Sequence, residues 1–235
     1  MMIDPTADAD RPISSRLYGR RKGKKLRAHH AALIETLLPA LTLDVSQKIT
    51  DAALLFPNAP RDIWMEIGFG GGEHLIAEAK EHQERGFIGC EPFENGVAKA
   101  LALAEETKLS NLRLYQGDAG AVIEALPDGA LAGVYLLYPD PWPKRRHHKR
   151  RFLSDDMFVA LARVLRPGAE IRFATDIDDN AGWTLLRALR SPHFTWKAAS
   201  ADDWREPWPA WSGTRYEAKA LKAGRKPVYL TFVRR

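Results

Sequence analysis

Ile63-Trp64-Met65-Glu66-Ile67-Gly68-Phe69-Gly70-Gly71-Gly72 decides the reading of this chain. An apolar run with strand character ends in a glycine loop, and a helical pattern starts directly with Glu73. Glycines at such a junction let the backbone turn sharply and approach a ligand that a Cβ would block. Outward from this point, strand-like runs at 87–91, 112–116 and 133–138 alternate with helical patterns at 73–83, 94–107 and 119–126. The alternation resumes with a helix over 155–165, a turn at Arg166-Pro167-Gly168, a strand over 170–174, a helix over 180–189 and a strand over 228–233. Strand-helix alternation implies right-handed crossovers and a parallel sheet, hence a doubly wound, Rossmann-like α/β fold. A helix over 29–41 is expected to pack on this core, and the Trp- and Pro-rich stretch 196–216 to run over one edge of the sheet.

The spacing of the loop is G-x-G-x-G, and the place of the dinucleotide fingerprint's third glycine is taken by Glu73. Glu66 ahead of the loop would repel a pyrophosphate but suits a ligand carrying an ammonium and a sulfonium. Glu91 closes the second strand, where an acid in doubly wound folds accepts from ribose hydroxyls. Asp118 follows the third strand and can accept from an adenine amine. Helix capping accounts for Glu91 and Asp118 singly, whereas S-adenosyl-L-methionine accounts for the series, with Gly68 and Gly70 as its close backbone contacts.

The 235 residues carry 45% hydrophobic and 28% charged side chains, a formal charge of +5 and a pI near 9.3. The composition is that of a globular protein, and the basic residues bunch in 16–27 and 144–151, which suggests a polyanionic partner. A flexible basic arm is expected over residues 1–25, with one domain over 26–235. Cys90 is the only cysteine, so no intrachain disulfide or Cys-rich zinc site forms, and its expected role is that of a small buried hydrophobe. With no H-x-x-x-H arrangement, no metal is expected either. No stretch approaches a membrane span, so a cytoplasmic enzyme is the expectation, with monomer and homodimer both open.

After the fourth strand comes Tyr138-Pro139-Asp140-Pro141-Trp142-Pro143-Lys144-Arg145-Arg146-His147-His148-Lys149-Arg150-Arg151. The prolines preset the backbone, so Asp140 and Trp142 are displayed with little freedom to lose on binding. Trp142 either stacks on a flipped base or plugs the core. The run behind it suits nucleic-acid phosphates, which makes Arg146, His147, His148, Lys149, Arg150 and Arg151 the expected RNA contacts.

This loop, the Glu66-Ile67-Gly68-Phe69-Gly70 segment and Gly213-Thr214-Arg215-Tyr216-Glu217 together resemble the bacterial tRNA (guanine-N7-)-methyltransferase family over about residues 20–235. The resemblance implies a mostly parallel seven-stranded sheet with an antiparallel last strand. It also implies methylation of guanine 46 in the tRNA variable loop. It places the cofactor on Glu66, Glu91, Asp118 and Asp140, and the substrate on Lys144, Asp176, Thr214, Arg215, Tyr216 and Glu217. From the residues alone, Thr214, Arg215 and Glu217 read equally as a helix cap and a bridge to the last strand.

Guanine N7 has an in-plane lone pair and attacks a sulfonium methyl without first losing a proton. The protein then mainly has to align the reactants and hold a carboxylate near developing charge, the role expected of Asp140. Asp140 or Asp176 could also accept from guanine N1–H and the 2-amino group. Three rival readings are an exocyclic-amine methyltransferase, a nicotinamide-dependent dehydrogenase and a non-catalytic RNA-binding protein. Asp140-Pro141-Trp142 departs from the Asn/Asp-Pro-Pro-aromatic form of the first, and the glycine spacing argues against the second. The acids at successive strand ends argue against the third.

Overall fold

A computed structural model of the protein describes residues 18–235. Seven strands form one sheet: β1 (Ile63–Ile67), β2 (Gly86–Cys90), β3 (Leu112–Tyr115), β4 (Leu131–Leu137), β5 (Leu165–Thr175), β6 (Phe194–Trp196) and β7 (Val228–Arg234). Their order is β3-β2-β1-β4-β5-β7-β6. β1 to β5 pair in parallel, and β7 runs antiparallel between β5 and β6. Chain order reverses between β1 and β4, which opens a crevice at their carboxyl ends, where such sheets bind ligands.

The helices are α1 (Ala28–Thr36), α2 (Leu38–Leu41), α3 (Glu73–Glu81), α4 (Glu94–Thr107), α5 (Ala119–Ala125), α6 (Asp155–Val164), α7 (Asp178–Arg190), α8 (Asp202–Arg205) and α9 (Arg215–Lys222). Period-two alternation divides them between the faces. Ile63, Met65 and Ile67 of β1 join the core that Val122 of α5 and Leu161 of α6 help to fill. Trp64, facing the other way, joins Leu75 of α3 and Leu101 of α4. Glu66 shares the Trp64 face, so its carboxylate is delivered beneath α3 and not toward α5.

Three departures from the sequence expectation stand out. The helix expected over 29–41 breaks at Leu37, and Pro39 stands in the first turn of the short α2 that follows. Arg166-Pro167-Gly168 does not separate helix from strand. The pairing instead moves from Leu131 with Leu165 to Gly133 with Glu170, so these residues form an irregularity inside β5, with Gly168 at φ +81°. The three-residue β6 was too short to signal itself.

The stretch expected to run over a sheet edge contributes Trp196 to β6, then folds back toward the sheet centre. There Trp208 and Trp211 pack edge-on against Tyr229 of β7, and Trp208 Nε1 donates to Thr231 Oγ1 at 2.8 Å. These tryptophans are packing residues. Cys90 is buried in the core, as expected.

Of the basic arm expected over 1–25, the first 17 residues lie outside the described residues. From Arg21 onward it is fastened to the start of α4. Glu94 N donates to Arg21 O, Gly23 N to Asn95 Oδ1, and Asn95 Nδ2 to Lys24 O, at 2.7–2.9 Å.

Phe158 of α6 meets Phe194 and Phe232 edge to face at 5.5 and 5.9 Å, and all three are fully buried. Phe158→Ala is therefore expected to cost about 3–5 kcal/mol in urea unfolding. A loss under about 1 kcal/mol, ordinary for a surface change, would show that this corner does not hold β6 and β7 to the domain.

Candidate active site

Gly70, at φ +59°, stands at the centre of the loop between β1 and α3. Its N–H donates to Glu91 Oε2 at 2.7 Å, and Phe93 N–H donates to Oε1 at 2.9 Å. The loop is also pressed onto α4: a Cβ on Gly96 would lie 2.2 Å from the Gly70 carbonyl oxygen. Gly96 escaped the sequence reading, although a glycine inside a helical pattern is itself a signal of close approach.

Three acids end the first three strands. Glu91 is buried, and burial raises its pKa above the ordinary value, against the two amides that lower it. Asp118 caps α5 with Oδ1, which accepts from Gly120 N at 3.0 Å. Its Oδ2 is buried with no hydrogen-bond partner among the described residues, and burial raises its pKa too. The capping and ligand readings of Asp118 therefore fall on different oxygens.

Glu66 does not line the cleft. Its side chain is 4% exposed, and Oε2 lies 2.7 Å from Nδ1 of His74, itself 3% exposed. Burial pushes the His74 pKa down, but the Glu66 carboxylate and, farther off, Glu78 outweigh it, and the net shift is upward. The Glu66 charge is thus met from inside the fold. A strand carboxylate on the α3 face needs a counter-charge, and a histidine in the first turn of α3 was the available signal.

At the next strand end, Tyr138 (φ +50°) and Trp142 (φ +44°) bracket Pro139-Asp140-Pro141 in left-handed backbone. For non-glycine residues each costs about 1–3 kcal/mol and persists only where surroundings enforce it. Asp140 is exposed on the cleft wall. Trp142 is half-buried and belongs to neither hydrophobic core. The Arg150 guanidinium lies over its ring at 4.9 Å and over Tyr18 at 5.1 Å.

The basic run forms a 3-10 helix over Arg145–Arg150. Lys144, Arg146 and Lys149 are exposed, and His147 and His148 partly so. Slight desolvation and the cations of Arg150, Arg146 and Lys144 lower the His147 pKa. Arg151, expected among the RNA contacts, is buried and does not face solvent. Its guanidinium donates to Pro141 O and to the Asp179 carboxylate, because the turn of the 3-10 helix points it inward.

The last expected cluster divides. Thr214 and Glu217 form a reciprocal capping box on α9. Glu217 is buried, accepting from Trp211 Nε1 at 2.7 Å and from the Tyr229 hydroxyl, so the cap-and-bridge geometry holds for these two. Arg215 and Tyr216 reach over Gly70, where an added Cβ would stand 3.3 Å from each. Asp176 is paired with Arg225 outside the cleft.

One cleft of about 590 Å³ gathers Gly68, Gly70, Glu91, Asp118 and Asp140, with Arg20, Arg150, Arg215 and Tyr216 on its walls. That volume is in the range of small-molecule sites. The unpartnered Asp118 oxygen and the crowded Gly70 backbone fit a flat ligand that donates an amine hydrogen and lies close to the main chain.

Two outcomes follow. Gly96→Ala should displace the Gly70 loop and weaken binding of an adenosyl ligand about tenfold or more, as overpacking of roughly 1–3 kcal/mol implies. Unchanged affinity in a calorimetric titration would detach α4 from the site. For His74, the folded pKa lies above the unfolded value near 6.5, so its stabilisation is complete below that pH and is lost as pH rises through the folded pKa. Urea midpoints should fall as pH rises from about 6.5 through the folded pKa in the wild type and stay flatter in His74→Asn; parallel profiles would contradict the His74–Glu66 pairing.

A family model described as "Putative methyltransferase" matches residues 60–230. A tRNA (guanine-N(7)-)-methyltransferase of Bradyrhizobium diazoefficiens is 50% identical over 235 residues, covering 99% of this chain and all of the relative. One from Rhodopseudomonas palustris is 53% identical over 218 residues, 92% of this chain and 85% of the relative. Among solved structures, TrmN from Thermus thermophilus has a TM-score of 0.52 at 13% identity, covering 88% of this chain and 48% of that one. The 16S rRNA methyltransferase KamB has 0.51 at 20%, covering 91% and 98%. At these identities the two structures speak to the fold alone. Among the described residues no helix is long and apolar enough to cross a membrane.

Proposed function

The chain belongs to the tRNA (guanine-N(7)-)-methyltransferase family, and we propose that it methylates N7 of guanine 46 in the tRNA variable loop with S-adenosylmethionine as donor. The observation that carries this reading is the charge layout of the cleft. Acids line its interior, while Arg20 of the N-terminal arm and Arg150 of the basic helix stand on its walls. A polyanion is attracted to such a rim, and a ligand presenting N–H donors suits the acids within. We further propose residues 26–235 as one methyltransferase domain acting in the cytoplasm.

When bound, S-adenosylmethionine supplies an electrophilic methyl group on a sulfonium. Glu91 is placed to accept from the ribose hydroxyls and Asp118 Oδ2 from the adenine amine. Glu66 acts from beneath the glycine loop, through its pairing with His74. Because N7 attacks with its own lone pair, no group need remove a proton first. Asp140 holds a carboxylate near the positive charge that develops on the purine and orients the base. It lines the cleft, whereas Asp176 is tied to Arg225, so Asp140 is the acid favoured to accept from guanine N1–H and the 2-amino group. Trp142, outside the core and at the rim with the Arg150 guanidinium over its ring, stacks on the extruded base. Arg215 and Tyr216 close over the loop, while Thr214 and Glu217 hold the helix that presents them. Lys144, Arg146, His147, Lys149 and Arg150 meet the phosphates.

The test is methyl transfer from labelled S-adenosylmethionine to unmodified tRNA, followed by nucleoside analysis. The wild type should place label in 7-methylguanosine of the variable loop, and Asp140→Ala should lose about 10²-fold in turnover with both ligands still bound. Label on an exocyclic amine would transfer the reading to the rival methyltransferase class, and full turnover by Asp140→Ala would remove that residue's role. Log tRNA affinity should fall by about 0.7–0.9 per phosphate contact per log unit of salt, a slope that a neutral interface would not show.

A further inference from the structure

The geometry points to Arg151 as a positioning residue that locks the Asp140 loop, and not as a phosphate contact. This inference rests on the reading of Asp140 as the catalytic acid. Arg151 is the buried member of a basic run whose other residues are exposed or partly exposed, with a side chain 2% exposed. Its Nε donates to the Pro141 carbonyl at 2.8 Å, one arm of the guanidinium meets the Asp179 carboxylate, and the other lies 3.3 Å from the Asp179 carbonyl. Its flat face stands 5.4 Å from the ring of Trp183. The guanidinium lowers the Asp179 pKa, as a committed ion pair would.

The loop needs such a fastener. Proline at 139, 141 and 143 removes three amide donors, so the segment cannot tie itself down through its own N–H groups there. Its left-handed ends at Tyr138 and Trp142 would relax if released. One end is held by Tyr138 N–H on Ala174 O at 2.8 Å. Beyond Asp140, Arg151 supplies the tie, and it anchors the loop to Asp179 in the first turn of α7, three residues past Asp176. A lysine has the charge but not the fork that reaches a loop carbonyl, a carboxylate and a helix carbonyl together.

Arg151→Lys and Arg151→Gln separate the possibilities, because a phosphate contact depends on charge and the lock depends on the fork. If Arg151 is the lock, both variants lose about tenfold to 10²-fold in kcat per cofactor-binding site, with tRNA affinity and its salt slope unchanged. Residue-resolved amide exchange at Asp140 and Trp142 should also speed up in both, with no substrate present. Asp179→Ala, which removes the exposed anchor and leaves Arg151 in place, should show the same pattern more weakly, and its combination with Arg151→Lys should be less than additive. Three results would overturn the inference: Gln weakening tRNA binding and its salt slope while Lys restores both; a fall in thermal midpoint alone, with kcat per site and exchange unchanged; or strict additivity with Asp179→Ala. The exchange readout stands apart from methyl transfer, so a wild type that failed to make 7-methylguanosine would count against the proposed function and not against the lock.

Discussion

A carboxylate taken out of water must find hydrogen-bond donors or a counter-charge inside the fold. Among the described residues three are buried, and a fourth keeps one oxygen buried. Each is satisfied differently, and the differences define the site. Glu66 is met by the His74 ring, and Glu217 by an indole, a hydroxyl and the backbone of its own cap. Glu91 is met by two amides, one of them from the glycine loop. Of these four carboxylates, Asp118 alone keeps a buried oxygen without a partner among the described residues, in the wall of the cleft. Glu66 and Glu217 thus serve as fixed architecture outside the cleft, while Glu91 and Asp118 line it, and under the proposed function the free Asp118 oxygen is left for a ligand's donor.

The same constraint explains how the elements around the glycine loop are held together. His74 lies 5.0 Å from Trp211, and Trp211 donates to Glu217. The acid under the cofactor loop and the acid that caps α9 are therefore linked through one aromatic contact. Gly70, held by Glu91 below and crowded by Arg215 and Tyr216 above, lies between those two structures. A displacement at the Trp208 and Trp211 cluster would be felt at Gly70, because packed aromatics shift as units.

Much of this was legible in the chain because it is local. The glycine loop, the strand-end acids and the alternation of β1 to β5 with helices follow from period and turn chemistry, which act within a few residues. Glu66 shows the limit. Its type and place after an apolar run were readable, but period two sends it beneath α3, and the partner that neutralises it became visible only once α3 was docked. Gly96 and β6 are of the same kind, since their reasons lie in the Gly70 carbonyl and in β7, distant in sequence. The resemblance named Thr214 and Glu217 as substrate contacts, and the residues alone left a helix cap open as the alternative. Their geometry is the cap, and Arg215 and Tyr216 between them are what it presents to the cleft.

The basic run was legible as charge but not as facing, for a related reason. Composition reports charge, but a 3-10 helix superposes residues three apart, so His148 and Arg151 share a side and both reach Asp179. Arg146 and Lys149, also three apart, stay exposed. One stretch can therefore carry two functions, an outward row for a polyanion and an inward row for the fold. Under the proposed function the arrangement couples them mechanically, with phosphates at the outer face of the same turn whose inner face holds the Asp140 loop. Ordering of that turn by RNA would tighten the loop as well, and substrate engagement and alignment of the acid would draw on a single rigid element.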